Sequence, residues 1–202
     1  MNGGIIMFYG VDTVSNVTNL VGSLKVHEYF FVARYYSLAG NSKRTSAAEM
    51  AAIGNAGLKR ISVYQNLHNA YSKFSASIAQ GDASDAISQA KACGQMSGAI
   101  YFAVDYDASA SEIDGNIKAH FQILKNMLRA AGYSLGVYGS SLTCKKLKEA
   151  GIVDYTWLAM STGWGHGTTW SSWNIHQTVP VSLGGIDFDK NEVNSLDGIG
   201  AW

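Results

Sequence analysis

The stretch Ala99-Ile100-Tyr101-Phe102-Ala103-Val104-Asp105-Tyr106-Asp107 decides the reading of this chain. It is apolar and aromatic, holds no glycine or proline, and reads as a buried strand. Two carboxylates close it. On a strand the spacing of Asp105 and Asp107 sets both side chains on one face. Carboxylates at the mouth of a buried strand are costly unless they are paired or used. On these residues alone, structural pairing and catalysis both stay open.

Strands of the same kind recur on either side. Upstream lie Ile5 to Asp12, Glu28 to Tyr36 and Lys59 to Gln65; downstream lie Ser134 to Tyr138, Tyr155 to Met160, Trp173 to Gln177 and Gly185 to Asp189. Helical patterns alternate with them. Ser46-Ala47-Ala48-Glu49 matches a capping box and opens an alanine-rich helix that Gly57 stops. A second alanine-rich helix runs from Asp82 to Ala92. A long amphipathic one, Ser111 to Ala131, carries Ile113, Ile117, Phe121, Leu124 and Leu128 at helical spacing. Leu142 to Ala150 is a short fourth helix, after which loops rich in glycine, serine and tryptophan replace helices. Alternating strands and helices predict parallel pairing through right-handed crossovers. Eight strands in that rhythm predict an α/β fold: a single (β/α)₈ TIM-type barrel domain over residues 1–202, its late helices reduced.

Composition excludes several function classes. Fifteen basic and fifteen acidic residues cancel, so no global field favours nucleic acid or an anionic membrane. The longest apolar runs are a strand's length, so no membrane span is expected. The N-terminus lacks the basic and long apolar regions of a secretory signal, and synthesis in the cytoplasm without a signal peptide is expected. Cys93 and Cys144 give no disulfide framework, and the five histidines show no metal-type spacing, so neither a metal nor another cofactor is expected. Gly10-Val11-Asp12 after the first strand is not a phosphate-binding glycine loop.

On such a barrel the polar residues gather at one end. Asp12 closes strand one, Arg34 strand two, Gln65 strand three, Asp105 with Asp107 strand four, Tyr138 strand five, Gln177 strand seven, and Asp187 with Asp189 strand eight. These are C-terminal strand ends, where barrel enzymes keep their sites. Clustered carboxylates without a nucleophilic serine suit glycoside hydrolysis, in which crowding raises one pKa and leaves another low. They also suit a hard-cation site. The segment Trp157 to Trp173 favours sugar: it supplies flat indole faces, with Trp164 and Trp170 in its loop beside glycine and serine. Packing over an open barrel end is the competing use for those indoles.

Five motifs in this order, Gly10-Val11-Asp12, Phe102 to Asp107, Trp157-Leu158-Ala159-Met160, Ile175-His176-Gln177 and Ile186 to Asn191, resemble the DUF1906 proteins. These are glycoside-hydrolase-like TIM-barrel domains similar to the family 25 lysozymes. The resemblance implies a lysozyme-like muramidase acting on peptidoglycan or a related amino-sugar polymer. By resemblance, Asp12, Asp105 and Asp187 match the lysozyme aspartates, and Asp107 stands where those enzymes carry a glutamate, their general acid. Asp107 would then protonate the leaving oxygen, Asp105 would stabilise the cationic transition state, and Asp12 and Asp187 would position substrate or water. Arg34, Gln65, Tyr138, Trp157, Trp164, Trp170, Gln177 and Asp189 would line the glycan cleft. The rival readings are a cell-wall-binding module that has lost the acid and a metal-dependent hydrolase using the same aspartates. The expected setting is the cell wall or periplasm, reached by phage lysis with a holin or by a secretion machine, with an immunity protein as a further partner.

Overall fold

Eight strands close on themselves in sequence order in the computed structural model, which describes residues 6–161, 163–165 and 170–202. Ile5 of the first predicted strand, and His166 in the tryptophan-rich loop, lie outside the described residues. The strands are β1 (Phe8–Asp12), β2 (Tyr29–Tyr36), β3 (Lys59–Tyr64), β4 (Ala99–Ala103), β5 (Ser134–Gly139), β6 (Tyr155–Leu158), β7 (Ile175–Leu183) and β8 (Ile186–Val193). The helices are α1 (Val21–Val26), α2 (Ala47–Asn55), α3 (Ala76–Ala92), α4 (Ala110–Glu112), α5 (Lys118–Ala130) and α6 (Ser141–Glu149). Among the described residues no helix follows α6, as the loss of helical periodicity there predicts.

The strands from β1 to β7 pair in parallel, but β8 runs antiparallel to both β7 and β1. This corrects the expectation of eight parallel strands. A parallel partner needs a crossover, and only Gly184-Gly185 separates β7 from β8. Both glycines have positive φ, +59° and +78°, the backbone that a two-residue hairpin turn requires. Asp187 and Asp189 therefore lie near the start of β8 and still reach the mouth formed by the other strands' C-terminal ends.

Two apolar cores follow from the alternation of each strand. Phe31, Ala33, Ile61, Val63, Tyr101, Trp157, Ile175 and Val193 fill the barrel. Val32, Tyr36, Ile100, Phe102, Leu135 and Val137 face outward, against Met50, Ile53, Phe121, Leu124 and Leu128 of the helices. Gly10 is required inside the barrel: a Cβ there would sit 2.4 Å from the Phe31 ring.

Several boundaries differ from expectation for local reasons. Helix α3 starts at Ala76, because Ser75 accepts the Ile78 amide at 3.3 Å and caps it. Asp82 is thus a buried residue inside the helix rather than its first. The expected helix from Ser111 is broken by a π-helical turn, Ile113–Ile117, in which Gly115 leaves helical φ/ψ, and its capping box is Ser109 with Glu112. Strand β4 ends at Ala103, so Asp105 and Asp107 stand on the loop that follows.

At Ser46 only half of the expected capping box forms. Ser46 Oγ accepts the Glu49 amide at 3.2 Å, but the Glu49 carboxylate turns inward. There it receives Arg34 Nε at 2.6 Å, Thr45 Oγ1 at 2.7 Å and the Val17 amide at 2.9 Å. Arg34 also donates to Thr13 O. Both charged side chains are 1% exposed, so each depends on the other. Glu49→Gln should cost about 3–5 kcal/mol by leaving the guanidinium buried and uncompensated. Urea unfolding is expected to show a lower midpoint with an unchanged m-value.

Candidate active site

A cavity of about 260 Å³ opens at the mouth, walled by residues that include Tyr35, Gln65, Asp105, Tyr138, Trp157, Gln177 and Asp189. An adjoining hollow of about 150 Å³ is lined by Asp12, Thr13, Pro180 and Asp187, and shares Val14, Tyr35 and Asp189 with it. Trp157, buried in the barrel, contributes its floor and meets the rings of Tyr138 and Tyr101 edge-on at 5.3 and 5.8 Å.

The seam between β1 and β8 sets Asp12 opposite Asp189. Both carboxyls meet one amide: Gln177 Nε2 lies 3.1 Å from Asp12 Oδ2 and 3.3 Å from Asp189 Oδ2. Asn191 Nδ2 donates to Asp12 Oδ2 at 2.8 Å, while Asn191 Oδ1 accepts Trp157 Nε1 at 2.7 Å. Tyr35 Oη donates to Asp12 Oδ1 at 3.2 Å, and Tyr138 Oη to Gln177 Oε1 at 3.0 Å. Burial outweighs these donors. It pushes the Asp12 carboxyl up to about 7, with the nearby Asp189 charge adding to the rise, and burial also raises Asp189. The Tyr35 and Tyr138 phenols are held well above their ordinary values, by burial first and then by the surrounding acids.

Across the cavity, Asp105 Oδ2 accepts Gln65 Nε2 at 2.7 Å, and Gln65 Oε1 accepts Lys43 Nζ at 2.7 Å. Desolvation pulls the Lys43 ammonium below its ordinary pKa, against the attraction of Asp105, and the ammonium lies 5.3 Å from the Tyr35 ring. The Asp105 amide donates to His68 O at 2.8 Å, which fixes the loop after β4 to the loop after β3.

The remaining sequence-selected residues fall elsewhere. Asp107, half-buried on the same loop, accepts the Gly165 amide at 2.7 Å and so meets the tryptophan-rich segment. Asp187 is exposed but lines the adjoining hollow rather than the cavity, and its carbonyl accepts Thr13 Oγ1 at 2.8 Å. Trp164 is half-buried beside Gly165, whereas Trp170 packs against the outer core and donates its amide to Ser141 Oγ. Arg34 points away from the cavity into the layer between β2 and α2, where it pairs with Glu49. Its neighbour Tyr35 takes the cavity wall. Strand alternation could have found this, since Tyr35 shares a face with Phe31 and Ala33. Asn191 shares the inward face of β8 with Asp189 and Val193. Lys43 had no local signal, because it reaches the site from a loop.

Comparison with known proteins agrees with this fold. A family model described as "Rv2525c-like, glycoside hydrolase-like domain" matches residues 23–193. The Bacillus subtilis (strain 168) protein YbfG is 33% identical over 92% of this chain and 29% of its own length. The chain spans about a third of the length of the curated relatives it matches. The crystal structure of the Mycobacterium tuberculosis Tat-secreted protein Rv2525c in complex with L-tartrate superposes with a TM-score of 0.82 at 20% identity, over 96% of this chain and 98% of that one. The modular autolysin LytC of Streptococcus pneumoniae, solved with a synthetic peptidoglycan ligand, superposes with a TM-score of 0.63 at 15% identity, over 92% of this chain and 46% of that one.

The Asp12 environment makes stability pH-dependent. The unfolded chain releases this proton near 3.8 and the folded chain only near 7. Its contribution is therefore complete below about pH 4 and is lost as pH rises to 7, by up to about 4 kcal/mol. Asp12→Asn keeps an oxygen for Asn191 and Gln177 and removes the proton. The variant is expected to gain stability relative to the unsubstituted protein between pH 4 and 7, measured by urea unfolding at each pH.

Proposed function

The chain belongs to the Rv2525c-like, glycoside hydrolase-like domain family, and from that premise we propose that it hydrolyses the glycan strand of peptidoglycan or a related amino-sugar polymer. The observation that carries this reading is the carboxyl set at the mouth: Asp105 and Asp189 line the cavity above an indole floor, and Asp12, paired with Asp189 across the seam, lines the hollow that adjoins it. Glycoside cleavage requires one carboxyl that retains its proton and another that faces the developing positive charge. In this reading Asp105 supports the oxocarbenium or the assisting acetamido group. Asp107 protonates the oxygen between N-acetylmuramic acid and N-acetylglucosamine, and Asp12 and Asp187 position substrate or water. The tryptophan-rich segment, which meets Asp107 through Gly165, would carry the adjoining sugar.

A second reading is a glycan-binding module that does not cleave. It is favoured by the aspartate at 107, one methylene shorter than the lysozyme glutamate, with one oxygen already engaged by a backbone amide.

Release of reducing ends from purified peptidoglycan tests both. The unsubstituted protein should release them, and Asp107→Asn and Asp105→Asn should each lower turnover about 10²–10⁴-fold with cosedimentation retained. Cosedimentation without release would support the binding module. Full activity in Asp107→Asn would move the proton donor to the Asp12–Asp189 pair.

A further inference from the structure

Away from the mouth, three side chains from distant segments converge in the layer between barrel and helices. His68 comes from the loop after β3, Asp82 from the middle of α3 and His120 from α5. Their side chains are 1%, 5% and 1% exposed. His68 Nε2 lies 2.8 Å from Asp82 Oδ2, and His120 Nε2 lies 3.7 Å from the same oxygen. One nitrogen or oxygen from each residue falls within 4.8 Å of the other two. Phe74 closes the pocket, its ring 5.4 Å from His68 and 5.2 Å from His120, and Phe121 stands 6.0 Å from His120.

The hydrogen bonds fix the tautomers. His120 Nδ1 lies 3.1 Å from Ser75 O, and a carbonyl only accepts, so Nδ1 carries the proton. Nε2 therefore presents a bare lone pair toward Asp82. That atom is buried and has no hydrogen-bond partner among the described residues; the Tyr64 hydroxyl, whose ring is 6.1 Å from His68, is buried without one too. A lone pair and a carboxylate oxygen aimed at one another repel unless something electron-poor lies between them.

We propose that His68, Asp82 and His120 bind a divalent transition-metal ion of the zinc class. Two imidazoles and one carboxylate form a borderline donor set suited to such an ion and poorly suited to calcium or magnesium. Donor atoms at about 2.0–2.1 Å from a tetrahedral ion stand roughly 3.3 Å apart. The separations from Asp82 bracket that value. The Ser75 carbonyl already orients His120 as an outer-shell acceptor orients a metal-bound histidine. His68 must change. Its Nδ1 now accepts the Asn66 amide at 3.2 Å, so its proton sits on Nε2 and donates to Asp82. Metal binding moves that proton to Nδ1, with no net release, and the Asn66 bond is given up. Because the His68 carbonyl holds the Asp105 amide, the ion would anchor the loop that presents Asp105.

The test uses the untagged full chain and reads no catalytic activity, so it stands or falls independently of the proposed hydrolysis. The protein is unfolded, refolded with excess Co²⁺ and gel-filtered. One Co²⁺ per chain with visible absorption of a tetrahedral site is expected. Outer-shell losses weaken metal sites about 10–100-fold, so His120→Gln and Asp82→Asn should weaken retention by more than about 100-fold. His27→Gln, at an exposed position, should retain the ion. With Zn²⁺, nitrogen-15 spectra should show the His68 proton moving from Nε2 to Nδ1. Failure of the unsubstituted, correctly refolded chain to retain Co²⁺ or Zn²⁺ would overturn the proposal, even if the variants do not fold. Retention by His120→Gln equal to the unsubstituted chain would do the same.

Discussion

Where β8 closes the barrel, two carboxyl groups are forced to face each other. Asp12 and Asp189 are directly paired residues of adjacent antiparallel strands, held together by hydrogen bonds that neither can escape without opening the seam. The shared Gln177 amide bridges them, and Asn191 ties Asp12 down to the indole of Trp157. The floor of the cavity, its acids and the closure of the barrel are therefore one hydrogen-bonded unit. Burial first, and then the neighbouring Asp189 charge, makes ionisation of Asp12 costly, so the fold itself keeps a proton at the mouth. Reversing β8 would have carried its acids to the other end and left Asp12 with no such neighbour.

Strand parity distributes the remaining polar groups. Along β2, Tyr35 turns toward the cavity, while Arg34 and Tyr36 turn toward the helices. Arg34 there serves architecture. Through Glu49 it fastens the loop after β1, strand β2 and the start of α2 at a single buried point. The same carboxylate could have completed a helix cap in water-exposed surroundings. The buried guanidinium is the stronger competitor, because a charge-assisted bond inside the protein exceeds a cap worth about 1 kcal/mol.

The barrel was legible because its signals are local and repeated: apolar strand, helical stripe, strand, with Gly57 at the first helix's stop. Asp12, Gln65, Tyr138 and Asp105 were legible as a rim because each sits at or close to the C-terminal end of a strand. Gln177 and Asp189 instead lie inside β7 and β8, which run longer than the sequence pattern suggested. What sequence left hidden was either non-local or a matter of direction. Gly184-Gly185 is a hairpin signal, yet the strand–helix rhythm suggested continued crossovers and concealed the reversal of β8. Arg34 was assigned to the rim by position, where a count of alternate residues would have chosen Tyr35. His68, Asp82 and His120 are separated by 14 and 38 residues in the chain, a spacing that matches no metal motif. Packing α3 against α5 brings Asp82 to His120, and the loop after β3 adds His68.

The acids at the mouth thus differ in how firmly they are held. Asp12 and Asp189 belong to strands and move only with the barrel wall. Asp105 and Asp107 belong to a loop and are attached to different neighbours. Asp105 is bound through its amide to His68 O and through its carboxylate to Gln65, so it is fixed nearly as well as a strand residue. Asp107 is bound through its carboxylate to Gly165, in a stretch where the described residues form no helix. A group meant to meet a leaving oxygen must approach as substrate enters, whereas a group meant to face developing charge gains from being rigid beforehand. Under the proposed hydrolysis Asp107 would be the first of these groups and Asp105 the second, and the end of β4 at Ala103 hands the two acids to different neighbours.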